Sequence, residues 1–375
     1  MDTSTTTTLA GEQEPPISLS QAVSKFDESI GDLPPYRFLP QPTGFSWLDE
    51  VLGGGTQAQH FYLLLGKQNV GKTILVLQMA RHQAIWATEN KYPLAPVLFC
   101  YEHTSWSMFV RLLCMESWEV NPNEPLTYLH VNDALRKIKM SATKEGKDDG
   151  VMAISPEAPF MDELFKTLPD IATKAYQKIM KYADRLFIYH PNRVHTNVEE
   201  VMKIITMIQG KFQVTAIPYI DYLQAMPPPR RLWGAGIEMM LNKELVVGLN
   251  TRILKAYAEE HHISMIAVSS VDEDALKDPS PVHLEDADGS EILPFTIDVG
   301  LVMNRDTMRV NNNGHANAVE KTVRLAIEKN RNHGPADIER RHEILGGSFF
   351  INPDGKTVVA EESFQQNRLR QEAGA

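Results

Sequence analysis

Short apolar runs alternate along this chain with stretches whose apolar residues recur at helical spacing. Runs of strand length fall at Phe61–Leu65, Pro96–Tyr101, Leu186–Tyr189, Val214–Tyr222, Ile263–Ser269, Thr296–Met303, Thr322–Ile327 and Ser348–Ile351. Between them Thr73–Ala80, Ser105–Trp118, Met161–Ala183, Val198–Ile208 and Ile237–Glu260 read as helices. Strands that alternate with helices predict an α/β fold, a mainly parallel sheet flanked by helices. A further helix is expected from Ser18, where Ser18 and Gln21 form a capping box and Leu19, Val23, Phe26 and Ile30 make an apolar stripe up to Gly31. One short amphipathic helix cannot bury its own stripe, so this one must dock on its own domain or on a neighbouring subunit.

The ends differ from the middle. Residues 1–17 are Thr-rich and then polar, and read as a disordered tail. Residues 18–42 hold the helix and a stiff linker with Pro34, Pro35, Pro40 and Pro42. Residues 43–360 form the α/β domain, and residues 361–375 a frayed C-terminal tail. Lys144–Gly150 reads as a loop, and no internal repeat is visible.

Composition narrows the function classes. A hydrophobic fraction of 43% over 375 residues is ample for a core, and the net charge of −11 rules out a coat of positive charge. Any nucleic-acid contact must therefore come from a local patch. The two cysteines, Cys100 and Cys114, sit in apolar surroundings and read as buried small hydrophobes, which suits a reducing cytoplasm. No apolar run approaches a membrane span, and Met1–Thr8 lacks the basic and apolar regions of an export signal, so a cytoplasmic location is expected.

The chemistry gathers around Gly66-Lys67-Gln68-Asn69-Val70-Gly71-Lys72-Thr73, which fits the phosphate-loop pattern G-x-x-x-x-G-K-[ST]. A strand precedes it and a helix follows, the context this motif requires. Its glycines let backbone N–H groups turn inward on phosphate oxygens, and the helix start adds its positive dipole end. Lys72 is expected on the β- and γ-phosphates and the Thr73 hydroxyl on Mg²⁺. Asp221 ends an apolar strand and suits Mg²⁺, directly or through water, although a strand-end Asp also caps turns. Pro218 within that strand suggests a bulge. Glu102 ends another strand; if that strand lies beside the phosphate-loop strand, its carboxylate faces the γ-phosphate as general base, and otherwise it is an ordinary strand-end acid. Lys329 and Arg331, two apart, point the same way from a strand end, and spacing alone favours a solvated edge pair over a phosphate contact. Arg230, Arg231 and Trp233 lie in a Pro/Gly stretch that cannot be regular structure. It is either a single-stranded nucleic-acid contact or a mobile surface loop.

Together these residues resemble the motor domain of DnaB-type replicative helicases, within the RecA-like ATPases. The resemblance runs from about Thr43 to Asp354. Thr43-Gly44-Phe45, Leu48-Asp49 and Gly53-Gly54 resemble its opening TGxxxLD and the glycines after it, and Phe99-Cys100-Tyr101-Glu102 its FSLE. Ile220-Asp221-Tyr222-Leu223-Gln224-Ala225-Met226 is very close to its IDYLQLM, and Glu328 to Pro335 looks like its KQRNGP. The resemblance implies a RecA-like fold and ATP with Mg²⁺ held by Lys72, Thr73 and Asp221. Glu102 is then the catalytic base and Arg111 lies near the nucleotide base. Lys329 and Arg331 act in trans on a neighbour's nucleotide, in a ring that is normally a hexamer. It also implies single-stranded DNA in the central channel and loader or replication proteins as partners. The helix from Ser18 resembles the family's linker helix.

The departures are specific. About 17 residues precede the linker helix, where the family usually has a helical domain, which suits a plasmid, phage or accessory helicase. The family's LSQ reads Val268-Ser269-Ser270, without the Gln that links phosphate state to DNA contacts. The following loop, Asp272–Asp288, is acidic where a channel loop should be basic, and acid repels phosphate. An insertion is expected within residues 120–160. These features leave room for a second reading, a KaiC-like ATPase acting on protein.

Overall fold

The computed structural model describes residues 16–31, 33–144, 160–233, 242–289, 292–310, 318–331 and 338–357. It divides into residues 1–39 and 40–375. In the first unit α1 (Leu19–Ile30) carries the expected capping box, with the Ser18 side chain accepting from the Gln21 N–H and the Gln21 side chain from the Ser18 N–H. Leu19 and Val23 of its apolar stripe are exposed.

The second unit opens with α2 (Ser46–Val51). Ahead of it the Thr43 N–H and hydroxyl both donate to Asp49 Oδ1 at 2.7 Å, which accounts for the Thr and Asp of the opening motif. Burial pushes the Asp49 carboxyl up, against the pull of those bonds. The glycines that end α2 lead into a bridge between Gln41 and Thr56, and Gly55 has φ +133° there. A Cβ on Gly55 would lie 2.1 Å from the Gln41 carbonyl oxygen, so this backbone approach requires glycine.

Then follow β1 (Phe61–Gly66), α3 (Lys72–Glu89), β2 (Leu94–Cys100), α4 (Ser105–Val120), α5 (Tyr128–Lys144), α6 (Phe160–Thr167), α7 (Asp170–Tyr182) and β3 (Phe187–Tyr189). After them come α8 (Val198–Phe212), β4 (Thr215–Asp221), α9 (Lys243–Glu260), β5 (Met265–Ser269), the short helices α10 (Glu273–Lys277) and α11 (Leu293–Thr296), β6 (Val299–Val310), β7 (Ala318–Asn330), β8 (Ile338–Leu345), β9 (Phe350–Ile351) and β10 (Lys356–Thr357). Helix starts are capped locally: Thr104 for α4, Asn197 for α8, Asn242 for α9 and Asp272 for α10. α3 has no side-chain cap, as is also true of α2, α7 and α11; its N-cap is Gly71 in the left-handed region, which leaves the first-turn N–H groups available to an anion.

The strands form one sheet in the order β10-β8-β7-β6-β1-β5-β4-β2-β3, with β9 on β8. From β6 to β3 every pairing is parallel, whereas β7, β8, β9 and β10 are antiparallel. β1, β2, β4 and β5 are buried at every residue, as strands covered by helices on both faces must be. Phe61, Leu63 and Leu65 point into a core shared with Val201 and Ile205 of α8 and Leu254 of α9. On α3, α4 and α7, Arg81 grips the buried Glu116 with a fork at 2.5 and 2.9 Å, and the Tyr182 hydroxyl and Lys178 also reach that carboxylate.

Several expectations are corrected. β2 does not lie beside β1, because β5 and β4 stand between them. Pro218 makes no bulge, since β4 keeps register with β2 from Thr215 to Asp221 and pairs with β5 only from Tyr219 onward. The helix expected over Met161–Ala183 is two helices, broken at Leu168-Pro169 because proline disfavours helical backbone before it. Thr296 ends a helical turn and the strand starts after Asp298. Ser348 and Phe349 lie in a turn, leaving only Phe350 and Ile351 as strand. Arg230–Leu232 form a single 3₁₀ turn within the stretch expected to be irregular. α9 is described from Lys243, with residues 237–241 of the predicted helix outside the described residues. The predicted insertion contains α5, and residues 145–159, with most of the loop expected there, lie outside the described residues. Both cysteines are free and buried, as expected. Among the described residues, no helix is long and apolar enough to cross a membrane.

The Arg81–Glu116 fork yields a stability prediction. Glu116→Gln keeps the shape but removes the buried countercharge of Arg81, leaving only the exposed Glu119 at 3.3 Å, at a cost of about 3 kcal/mol. A urea midpoint equal to that of the parent chain would contradict it.

Candidate nucleotide site

Parallel strands end together, so the carboxyl ends of β1, β5, β4 and β2 open on one edge of the sheet. A cavity of about 810 Å³ lies there, lined by Gln68 to Thr73, Glu102, Arg111 and Asp221. The loop between β1 and α3 turns through Asn69 at φ +59° and Gly71 at φ +115°. A Cβ on Gly71 would sit 2.8 Å from Ile344 Cδ1, so this position combines a backbone and a steric demand for glycine. Lys72 reaches back over the loop, and its ammonium donates to the Gly66 carbonyl at 2.6 Å and the Lys67 carbonyl at 2.8 Å. Burial lowers its pKa to about 8, against the raising effect of Asp221 and Glu102.

Asp221 is the buried acid of the site, at 1% exposure. Its Oδ2 accepts from the Thr73 hydroxyl at 2.9 Å and from the Cys100 thiol at 3.5 Å. Its backbone carbonyl accepts from the Tyr101 N–H at 2.7 Å. Burial raises the Asp221 carboxyl to about 6; the Thr73 bond opposes this and the Glu102 charge adds to it. Glu102 is exposed and reaches the cavity although its strand is third from β1, because the carboxyl edge is shared.

Arg111 sits at the other wall. Its guanidinium lies 4.8 Å from the centre of the Phe349 ring and donates to His103 Nε2 at 3.0 Å. Burial first, then Arg111, Arg193 and His190, lowers the His103 pKa to about 4, so that ring accepts from Arg111 as a neutral imidazole. Among the described residues, buried Arg111 Nε has no hydrogen-bond partner.

Other predicted residues lie elsewhere. Gly66 and Lys67 are not among the cavity's lining residues. The Lys67 ammonium turns outward onto the carbonyls of Asp278 and Ser280. Lys329 and Arg331 are at the opposite edge of the sheet, where Asn330 pairs with Val299 at the start of β6. Both bond to the α11 segment, Lys329 to the Pro294 carbonyl and Arg331 to the Phe295 carbonyl. Arg331 also pairs with the buried Asp298 at 3.3 Å, an acid that accepts the Phe61 N–H and Lys255. Arg230 lies over the Trp233 ring at 5.8 Å and is paired with Glu200, while Arg231 and Trp233 are exposed. Beside Ser270, which stands where the family's LSQ has its glutamine, Gln224 binds Ser269 Oγ, the Ser270 N–H and the Asp288 carbonyl.

The sequence reading missed Arg193, Arg305 and Phe349 in the cavity wall. Gly346-Gly347 signals the turn that presents Phe349, and cations follow the strand end at Tyr189, but neither signal says where those loops fold to.

The residues fit a nucleoside triphosphate with a divalent cation. Lys72, uncapped helix N–H groups, a hydroxyl–carboxylate pair at 2.9 Å and the unpartnered Arg111 Nε converge on one cavity. Among the described residues no group of three His, Cys, Asp or Glu could hold a metal by itself. The Thr73 hydroxyl and the Asp221 carboxylate suit Mg²⁺, which takes one or two protein oxygens together with phosphate oxygens and water.

Sheet order, uncapped phosphate loop and buried strand-end acid define a P-loop ATPase fold. Within that class, residues 41–156 match the family model of the DnaB-like helicase C terminal domain. The chain is similar to the ATPase domain of G40P, with a TM-score of 0.59 and 18% identity over 89% of this chain and 98% of that one. It is also similar to a DnaB-like replicative helicase whose structure was solved with its interactions with primase, with a TM-score of 0.58 and 18% identity over 91% of this chain and 68% of that one. No curated protein matches it. The resemblance read from the motifs is borne out: residues 41–156 match the DnaB-like helicase model, and the chain shares its fold with these two solved structures.

The Asp221 carboxyl sets a pH dependence. Its raised pKa of about 6 means that the ligating carboxylate is complete above that value and is lost as pH falls through it. Mn²⁺ or Mg²⁺ affinity should drop about tenfold between pH 7 and pH 5 in metal titrations, and Asp221→Asn should abolish that slope. A flat profile in the parent chain would count against Asp221 as a ligand.

Proposed function

We propose that this protein is an ATP-dependent DNA helicase or translocase of the DnaB type, working as a ring that hydrolyses ATP between subunits and moves single-stranded DNA through its centre. The observation that carries the reading is the separation of two groups. Lys72, Thr73, Asp221 and Glu102 meet at the carboxyl edge of the sheet, whereas Lys329 and Arg331 stand at the amino edge. β1 and β6 run parallel, with Val299 beside Tyr62 and Met303 beside Gly66, so the two groups are roughly 15 Å apart along the strands. Arg331 therefore serves the site of another copy. A contact joining one surface to a different surface is head-to-tail, and closes into a ring when its rotation allows. The exposed stripe of α1 suits docking on the adjacent subunit.

In this reading ATP is bound with Mg²⁺, which draws charge from the transferring phosphoryl group. Lys72 leaves its two loop carbonyls for phosphate oxygens, Thr73 and Asp221 hold the metal, and Glu102 takes the proton of the attacking water. Arg331 and Lys329 of the next subunit meet the transition-state charge. Arg111 and Phe349 bound the end of the cavity that suits the nucleotide base. Arg231 and the exposed Trp233 suit a single-stranded backbone with a stacked base. Loader or replication proteins would act on the assembled ring in the cytoplasm. A KaiC-like ATPase acting on protein stays as second reading, favoured by the acid of Asp272, Glu273 and Asp274 at the edge where a channel loop belongs.

Arg331→Ala should lower ATP turnover about a thousandfold. Mixing Arg331→Ala with Lys72→Ala chains should restore part of it, because each supplies the half-site the other lacks. Turnover should also rise with single-stranded DNA at low salt. Turnover lost in Arg331→Ala but indifferent to DNA would replace the helicase reading with the protein-directed one, and no recovery on mixing would sink the shared site.

A further inference from the structure

The loop after β3 is built as a platform for one cation. The Asn192 carbonyl accepts the Thr196 N–H at 2.8 Å, and the Asn192 side chain accepts the Val194 N–H at 2.8 Å, which closes the loop on itself. The Asn192 N–H in turn donates to Thr196 Oγ1 at 3.0 Å. Three further bonds fasten the loop to the end of β2: His190 Nδ1 to the Cys100 carbonyl at 2.9 Å, the Tyr101 hydroxyl to the Thr196 carbonyl at 2.9 Å, and Arg193 Nε to the Tyr101 carbonyl at 2.8 Å. Among the described residues Arg193 spends only Nε on the protein, and its two terminal amines make no hydrogen bond or ion pair with them. The side chain lines the same cavity as Lys72, Glu102 and Asp221.

Its position along that cavity is set by Tyr101. The Tyr101 N–H donates to the Asp221 carbonyl at 2.7 Å and the Tyr101 carbonyl holds Arg193, so one residue links the buried acid to this arginine. The next residue is Glu102. Arg193 is thus held one residue from Glu102, which the reading above assigns to the water that attacks the terminal phosphate, a group that a diphosphate lacks. An arginine held by one nitrogen keeps two parallel donors for a phosphate, with little side-chain freedom left to lose.

Resting on the nucleotide-site reading above, we infer that Arg193 is a phosphate-binding residue supplied in cis, whose terminal amines receive the terminal phosphate of ATP and make the site prefer triphosphate over diphosphate. It differs from Arg331 in coming from the same chain as Lys72, so it acts at the binding step before any neighbour is engaged.

The test is the ratio of ATP to ADP affinity in the full chain, read by fluorescent nucleotide binding with Mg²⁺, for Arg193→Ala, Arg193→Gln and Arg193→Lys. A charge-assisted pair to a phosphate should make Arg193→Ala and Arg193→Gln bind the slowly hydrolysed triphosphate analogue about tenfold to a hundredfold more weakly, with ADP affinity unchanged. Arg193→Lys should recover part of the difference. Gln can still donate to the Tyr101 carbonyl, so it separates loss of the phosphate contact from loss of the loop. Equal weakening of both nucleotides, or no change in either, overturns the inference. If Lys72→Ala still abolishes binding in that case, the nucleotide site itself stands. A parent chain that binds neither nucleotide overturns both.

Discussion

One buried carboxylate organises this molecule. Asp221 sits at 1% exposure at the carboxyl edge of the sheet, where an unpaired charge would be costly. The chain answers with a hydroxyl from α3, a thiol from β2 and the nearby Lys72 ammonium, so β4, β2 and the β1–α3 unit are drawn to one point. The compensation is incomplete, and burial still holds the carboxyl near 6. A buried acid short of partners suits a cation that arrives with its own phosphate oxygens. The Lys72 ammonium is in the same condition, lent to two carbonyls of the loop and depressed to about 8 by burial. The site stores its polar groups on each other until a ligand exchanges them.

The direction of parallel strands does the rest. Every parallel strand delivers its carboxyl end to the nucleotide edge, which is how Glu102 on β2 reaches a cavity begun by β1 across two intervening strands. The antiparallel β7 returns to the amino edge and carries Lys329 and Arg331 away from it. There Asp298, buried and tied to the Phe61 N–H at 2.8 Å, fixes Arg331 against the start of β1. Lys329 and Arg331 therefore lie at the far end of the same strands from the cavity that holds Lys72 and Asp221.

The structural exceptions trace to the same geometry. Ser270 stands where the family has glutamine, and Gln224, which follows β4 at the same edge, holds that segment through Ser269, Ser270 and Asp288. Arg193 is fixed in the cavity by carbonyls at the end of β2, so its own loop's turn and its neighbour strand share the work of aiming it.

What the sequence by itself determined is local. The phosphate loop, the caps at Ser18 and Thr104, the run that ends at Asp221 and the family likeness all rest on residues within a turn or a strand of each other, where a backbone's needs are written in adjacent side chains. Tertiary structure decided whatever depends on strand order. The sequence could not say that β5 and β4 separate β2 from β1, because pairing partners lie up to about two hundred residues apart and many orders bury the same apolar runs. β8 went unseen because Ile338–Leu345 is rich in charge, and its strand character comes from antiparallel pairing with β7 on one side and with β9 and β10 on the other. Arg193 and Phe349 carry no motif, and they enter the site because the loops that bear them are folded onto it.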